Sequence, residues 1–171
     1  MTDGADAGAG GAGGPESHGD AASHFTSEAL GEPAGVGRYV NVDSLSPVEF
    51  VPGLGFRPVL GQRAMTNFVS FEPGAVAPKH VHEEEQIVII LDGEMVFDLD
   101  GDVRTMRKGD VAVIPAWVPH GAWTVDTHCE EVDVFCPPRQ SLLKLAEAQA
   151  AGDVAGQNAE EQVPGGLPGG E

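Results

Sequence analysis

Two histidines one residue apart, His80 and His82, lie between two glycines that favour turns, Gly74 and Gly93. A third, His120, closes a second segment that opens at Gly109 and stiffens at Pro115. Side chains two apart on an extended strand project from one face, so His80 and His82 address the same point while Val81 turns away. Gln86 keeps that parity, and so does Glu84 in an unbroken strand, so two oxygen donors stand open beside the imidazoles. Ile87 to Leu91 reads as a buried strand leading into Asp92-Gly93, a hairpin-type turn signal. The second segment reads as a short apolar strand, a proline-stiffened turn and a histidine just beyond it. Imidazole nitrogens with an oxygen donor suit zinc-like and iron-like sites, and sites that do chemistry keep positions open for water or substrate.

The spacing from Gly74 through His80 and His82 to Gly93, and then from Gly109 through Pro115 to His120, resembles the two ordered motifs of small single-domain cupins. Three positions depart from the family pattern: Gln86 stands where glutamate is usual, Trp117 where glycine is, and Thr124 where asparagine is. The resemblance covers roughly residues 38–145 and implies an all-β fold, the cupin double-stranded β-helix or jelly-roll barrel, with a short C-terminal helix and disordered tails. It implies one divalent ion (Zn, Ni, Mn or Fe) held by His80, His82, Gln86 and His120. The family spacing, with a turn between the strands, favours Gln86 over Glu84. Trp117 and Trp123 are expected to crowd or line the mouth of the pocket.

A second stretch narrows the resemblance. In Glu131-Val132-Asp133-Val134-Phe135-Cys136 one face carries the valines and the cysteine, and the other presents Glu131, Asp133 and Phe135; solvent exposure is the simplest expectation for the acidic face. Pro137-Pro138 then stiffens the approach to Arg139. Asp133-x-Phe135-x-Pro137-Pro138-Arg139 resembles the matching segment of the KdgF-like pectin-degradation cupins, which open ring forms of unsaturated uronates and also carry Gln at the fourth ligand position. The resemblance makes Asp133 the proton-transfer group, Phe135 a pocket residue and Arg139 the anchor for a substrate carboxylate.

The rest of the chain reads as support. Short segments punctuated by Gly and Pro suggest strands at 38–42, 48–51, 56–60, 64–71, 94–99, 103–106, 123–125 and 131–135, with Asp100-Gly101 a two-residue hairpin signal. Asp98, Asp100, Asp102 and Asp110 are expected to serve turns. Leu142 to about Ala150 has helical composition, with Ser141 a possible N-cap and Gly152 a stop. Residues 1–36, rich in Gly and Ala, lack the apolar surface to offset ordering entropy and read as a disordered acidic tail; 37–150 form the cupin domain, and 151–171 a flexible Gly/Pro-rich tail. Cys129 and Cys136 make no disulfide framework, and Cys136 reads as a small apolar residue of the core or the layer behind it. With no secretory signal and no bilayer-length apolar run, the expected location is the cytoplasm. The net charge of −18, from nine basic and 27 acidic residues, argues against nucleic acid and anionic membranes as partners. A homodimer is the expected assembly.

Three neutral imidazoles and a neutral amide leave a divalent ion its full formal charge, which favours Lewis-acid over ferric chemistry. The expected activity is therefore redox-neutral: isomerisation, epimerisation, ring opening or elimination next to a carbonyl of a small carboxylate-bearing substrate, unsaturated uronates among them. The alternatives are a cupin dioxygenase or oxygenase of secondary metabolism, and a non-catalytic metal-dependent small-molecule binding module.

Overall fold

The computed structural model describes residues 31–160. Of the tails expected over 1–36 and 151–171, residues 1–30 and 161–171 lie outside the described residues, while 151–160 belong to a helix rather than to a flexible tail. Residues 31–39 carry only bends and coil. The segment expected as a first strand near Arg38 is not one: the chain instead makes a 3-10 turn over Val42–Ser44, with the Asn41 side chain accepting from the Asp43 N–H at 3.1 Å. An Asn side chain that takes over the backbone donor two residues on competes with strand pairing.

Nine strands follow: β1 Val48–Val51, β2 Leu54–Leu60, β3 Met65–Phe71, β4 Val76–His80, β5 Glu85–Leu99, β6 Asp102–Arg107, β7 Val111–Ile114, β8 His120–Trp123 and β9 Cys129–Cys136. All pairings are antiparallel, in the order β1-β2-β3-β9-β5-β8-β4, with β6 and β7 also against β5. The result is a curled all-β barrel with one C-terminal helix, as the alternating strands and turn residues require. No described helix is long and apolar enough to cross a membrane.

The fifteen-residue β5 is the spine of this arrangement. Its first half, through Gly93, pairs with β9 and β7; its second half pairs with β6 and β8. The expected hairpin at Asp92-Gly93 is therefore a corner within one strand: the register with β9 shifts between Ile90 and Asp92, and Gly93 takes φ +73°. A bulge with a left-handed glycine bends a strand without ending it, letting one chain segment serve both sheets. A Cβ on Gly93 would run into the His128 carbonyl oxygen. Gly93→Ala is expected to cost at least about 2 kcal/mol, the left-handed backbone alone contributing about 1; an unchanged urea midpoint would contradict this. Asp100-Gly101 is the hairpin its sequence announces, joining β5 to β6 with φ of +52° and +91°.

Alternation places one face of each strand inside. On β3, Met65, Asn67, Val69 and Phe71 point inward, and on β9 so do Cys129, Glu131, Asp133 and Phe135. Apolar residues of β2, β3, β5, β6, β7, β8 and β9 form one cluster that includes Leu54, Val69, Phe71, Val88, Ile90 and Phe97. Cys136, by contrast, is exposed, with its thiol 3.5 Å from the Arg63 carbonyl oxygen, because it belongs to the outer face of β9. The helix, α1, spans Gln140–Glu160. It starts where the Leu143 N–H reaches the Arg139 carbonyl at 3.4 Å, so Arg139 rather than Ser141 occupies the capping position, and the helix continues through Gly152. Leu142 packs under it against Met65 and Phe135.

Candidate metal centre

The three histidines converge although they do not share one strand. His80 ends β4 and pairs with His120 at the start of β8, while His82 lies beyond the strand end. Strand parity is thus not what aims His82; its ring is held by the chain turning toward β5. Ring centroids are 4.4 Å apart for His80 and His120, 4.9 Å for His82 and His120, and 5.6 Å for His80 and His82. One ligand atom from each lies within 4.8 Å of the others, which positions the triad to bind a metal.

Hydrogen bonding fixes which nitrogen each ring presents. His80 Nδ1 is 2.8 Å from the Pro78 carbonyl oxygen, His82 Nδ1 is 2.9 Å from that of Glu84, and His120 Nδ1 is 2.9 Å from that of Val118. A carbonyl oxygen only accepts, so each Nδ1 donates and each Nε2 keeps its lone pair. Gln86 is oriented in the same way: its Nε2 donates to Asp133 Oδ1 at 2.6 Å, turning Oε1 toward the rings. That oxygen stands 3.0 Å from His82 Nε2 and 3.1 Å from His120 Nε2. Acceptors therefore face an acceptor. Protonating the rings would relieve this, but burial pushes all three histidine pKa values down, that of His120 to about 4. A cation between these atoms resolves the conflict, so the donor set fits a divalent ion.

Glu84 is on the wrong side of His82 for that role. Its Oε2 is 3.4 Å from Nδ1, the ring nitrogen directed away from Gln86. It stands behind His82, as carboxylates commonly do behind ligating imidazoles.

The face of β9 expected to meet solvent meets the interior instead. Asp133 is buried at 5 % exposure, accepting from Gln86 and, at 3.4 Å, from Asn67 Nδ2. Burial raises its pKa to about 6, against the hydrogen bonds from Gln86 and Asn67 and the charge of Arg139. Phe135 packs edge-on to His82 with centroids 5.6 Å apart, and the Arg139 guanidinium carbon stands 5.5 Å from the Phe135 ring centre. Burial lowers the Arg139 pKa while Glu84 and Asp133 hold it up.

His80, Gln86, His120, Asp133, Phe135 and Arg139 line a cavity of about 430 Å³. Trp117 and Trp123 are not among its lining residues. Trp117 is 64 % exposed with φ +66°, and its N–H donates to the His82 carbonyl at 2.8 Å. The positive φ explains why a glycine suits that motif position. Thr124 receives the Ala75 N–H at 3.1 Å and donates to the Glu72 carbonyl, pinning the turn between β3 and β4. Among the buried polar residues of the cavity, sequence alone assigned no site role to Asn67 or Glu131. The signal for Asn67 was a lone polar residue on the apolar face of Met65-x-Asn67-x-Val69-x-Phe71.

Comparison with known proteins agrees with this architecture. Residues 67–135 match the cupin domain family. A gentisate 1,2-dioxygenase from Streptomyces sp is 34% identical over 70 residues, which is 40% of this chain and 20% of that protein's length. The chain thus spans a fifth of the curated relative it matches. Among solved structures, KdgF from Halomonas sp. superposes with a TM-score of 0.59 at 28% identity, over 63% of this chain and 99% of that one. An RmlC-like cupin from Shewanella frigidimarina NCIMB 400 gives 0.59 at 23% identity, over 63% and 96%.

Proposed function

Starting from the premise that the chain is a small cupin with a histidine triad positioned for a metal, we propose that it is a metal-dependent enzyme of redox-neutral chemistry. Its reaction is an isomerisation, epimerisation, ring opening or elimination next to a carbonyl of a small carboxylate-bearing molecule. One observation carries this reading: the Gln86 amide bridges His82 and His120 on one side and Asp133 on the other. His80, His82, Gln86 and His120 would hold the ion. When bound, it supplies Lewis-acid polarisation of a carbonyl or hydroxyl oxygen, undiminished by any anionic ligand.

The chain's own groups do the remaining work. Asp133 lines the cavity and takes or returns the proton; a carboxyl whose pKa burial brings to about 6 transfers protons efficiently near neutral pH. Gln86 and Asn67 hold that carboxyl in place through the bonds to its two oxygens. Arg139, fixed at the start of α1 and braced on Phe135, anchors the substrate carboxylate. The apolar walls exclude water that would quench a carbanionic intermediate.

The reading is tested by incubating zinc-, nickel-, manganese- and iron-loaded protein with unsaturated uronates, 2-oxo acids and hydroxylated aromatic acids, followed by mass spectrometry and NMR. A product of unchanged mass, or one lighter by water, supports it. The similarity to a gentisate dioxygenase favours a second reading, an oxygenase; oxygen uptake with a product heavier by dioxygen would select that reading. Stoichiometric binding with no product from any member would replace both with a binding module.

A further inference from the structure

Beyond the metal level, β9 carries a second buried acid. Glu131 lies two residues from Asp133 on the same inward face, opposite Val69 on β3 and Ile90 on β5. Its cross-strand neighbours Val69 and Ile90 belong to the main hydrophobic cluster, and Leu54, Phe71 and Phe97 of that cluster line the same cavity. Glu131 is 5 % exposed, and its Oε2 has no hydrogen-bond partner. Asn67, which gives its Nδ2 to Asp133, leaves its Oδ1 equally without one. Among the described residues these two are the buried side-chain atoms so left, and both residues line the cavity. A buried carboxyl oxygen left without a hydrogen bond destabilises the fold, so it calls for a ligand.

We propose that Glu131, toward the apolar end of the cavity, and Asn67, opposite Asp133, form a recognition subsite that accepts a hydroxyl hydrogen from a ring-containing carboxylate. Asn67 Oδ1 only accepts, and the Glu131 carboxyl both accepts and, when it holds a proton, donates, so a hydroxyl, which gives one hydrogen and takes another, is the complementary group. From Glu131 to Phe135 is four residues of strand, roughly 13 Å at a strand rise of about 3.3 Å per residue, with Asp133 midway. The inference rests on the proposed function for one end of the ligand, the carboxylate at Arg139. With that end held beside Phe135, a ligand that also reaches Glu131 runs along this stretch of β9, a length closer to a fused-ring body than to one small ring. Phe56, Phe71, Phe97 and Phe135 along the way offer such a body faces to pack on and few polar partners. A polyhydroxylated sugar acid would leave most of its hydroxyls unpaired there; an aromatic or alicyclic hydroxy acid would not. The pKa of Glu131 is raised by burial and by Asp133, so its carboxyl in the free protein holds a proton to higher pH than an exposed one does.

The test uses zinc-loaded full-length protein, calorimetric titration and two probes, 2-naphthoate and 6-hydroxy-2-naphthoate. Wild type is expected to bind the hydroxylated probe roughly tenfold tighter, as one hydrogen bond to a buried carboxyl group supplies. Glu131→Leu should bind both probes within about twofold of each other and melt a few degrees higher than wild type, since an unpartnered buried acid has been removed. Glu131→Gln should keep part of the preference, its amide oxygen still accepting. Equal binding of the probes by wild type, binding of neither, or a preference that persists in Glu131→Leu overturns the subsite. So does a Glu131→Leu protein that melts lower, because that carboxyl is then structural. No turnover enters the readout: a preference that depends on Glu131 in a protein that converts no substrate leaves the subsite standing and removes the catalytic reading alone.

Discussion

His120→Ala should leave purified protein with less than about a tenth of the wild-type metal. His120 is 2 % exposed, and its Nε2 is aimed at the Gln86 oxygen by the Val118 carbonyl behind it. Deleting it removes a donor that no neighbour replaces, since Glu84 faces the far side of His82. Losing even a group that supports a ligand costs about 10–100-fold in metal affinity, so losing the imidazole itself should cost more than about 100-fold. The barrel does not depend on that ring: its apolar cluster spans seven strands, and removing one acceptor relieves the crowding around Gln86. Elemental analysis alongside circular dichroism gives the answer. A folded His120→Ala protein with full metal content would place the ion elsewhere and remove the basis for every catalytic role proposed here.

Asp133→Asn should lower turnover by about 10²–10⁴-fold, the range general acid–base catalysis contributes, with metal retained. Asn still offers an oxygen to the Gln86 amide, so Gln86 keeps its direction, while the group that accepts a proton is gone. Asp133→Ala removes both functions; it should lose turnover and also about 10–100-fold in metal affinity, as loss of an orienting partner does. The pair separates proton transfer from positioning. Turnover in Asp133→Asn within about threefold of wild type would make Asp133 a positioning residue only. Substrates from the conversion panel provide the assay, and metal content is measured on the same samples.

Much of this site was legible before any fold was known, and the reason is local. The spacing Gly74-His80-His82-Gln86 and Gly109-Pro115-His120 encodes which donors the chain can bring together, because turn glycines and strand rise set the distances. The Asp100-Gly101 hairpin was equally local: two residues at positive φ are nearly all such a turn needs. The misreadings share one cause. Asp92-Gly93 carries the same pair of residues, yet β9 packed against it turns the would-be hairpin into a corner of β5. Trp117 looked like a pocket residue by its nearness in sequence to His120, but a left-handed backbone sends it into solvent.

Alternation along β9 told which side chains travel together: Glu131 with Asp133 and Phe135, the valines with Cys136. It could not tell which company faces inward, because period-two patterning is symmetric between the two sides of a sheet. Only closure of the barrel, with β3 and β5 flanking β9, put the acids inside and the cysteine out. The sequence by itself therefore determined the candidate donors and their spacing along the chain. The tertiary structure decided the rest: the tautomer each imidazole must adopt, the amide end Gln86 must present, and the burial that raises the pKa of Asp133 and leaves Glu131 Oε2 without a hydrogen-bond partner. Those properties arise from contacts between strands distant in the chain, where desolvation acts on whatever closure encloses.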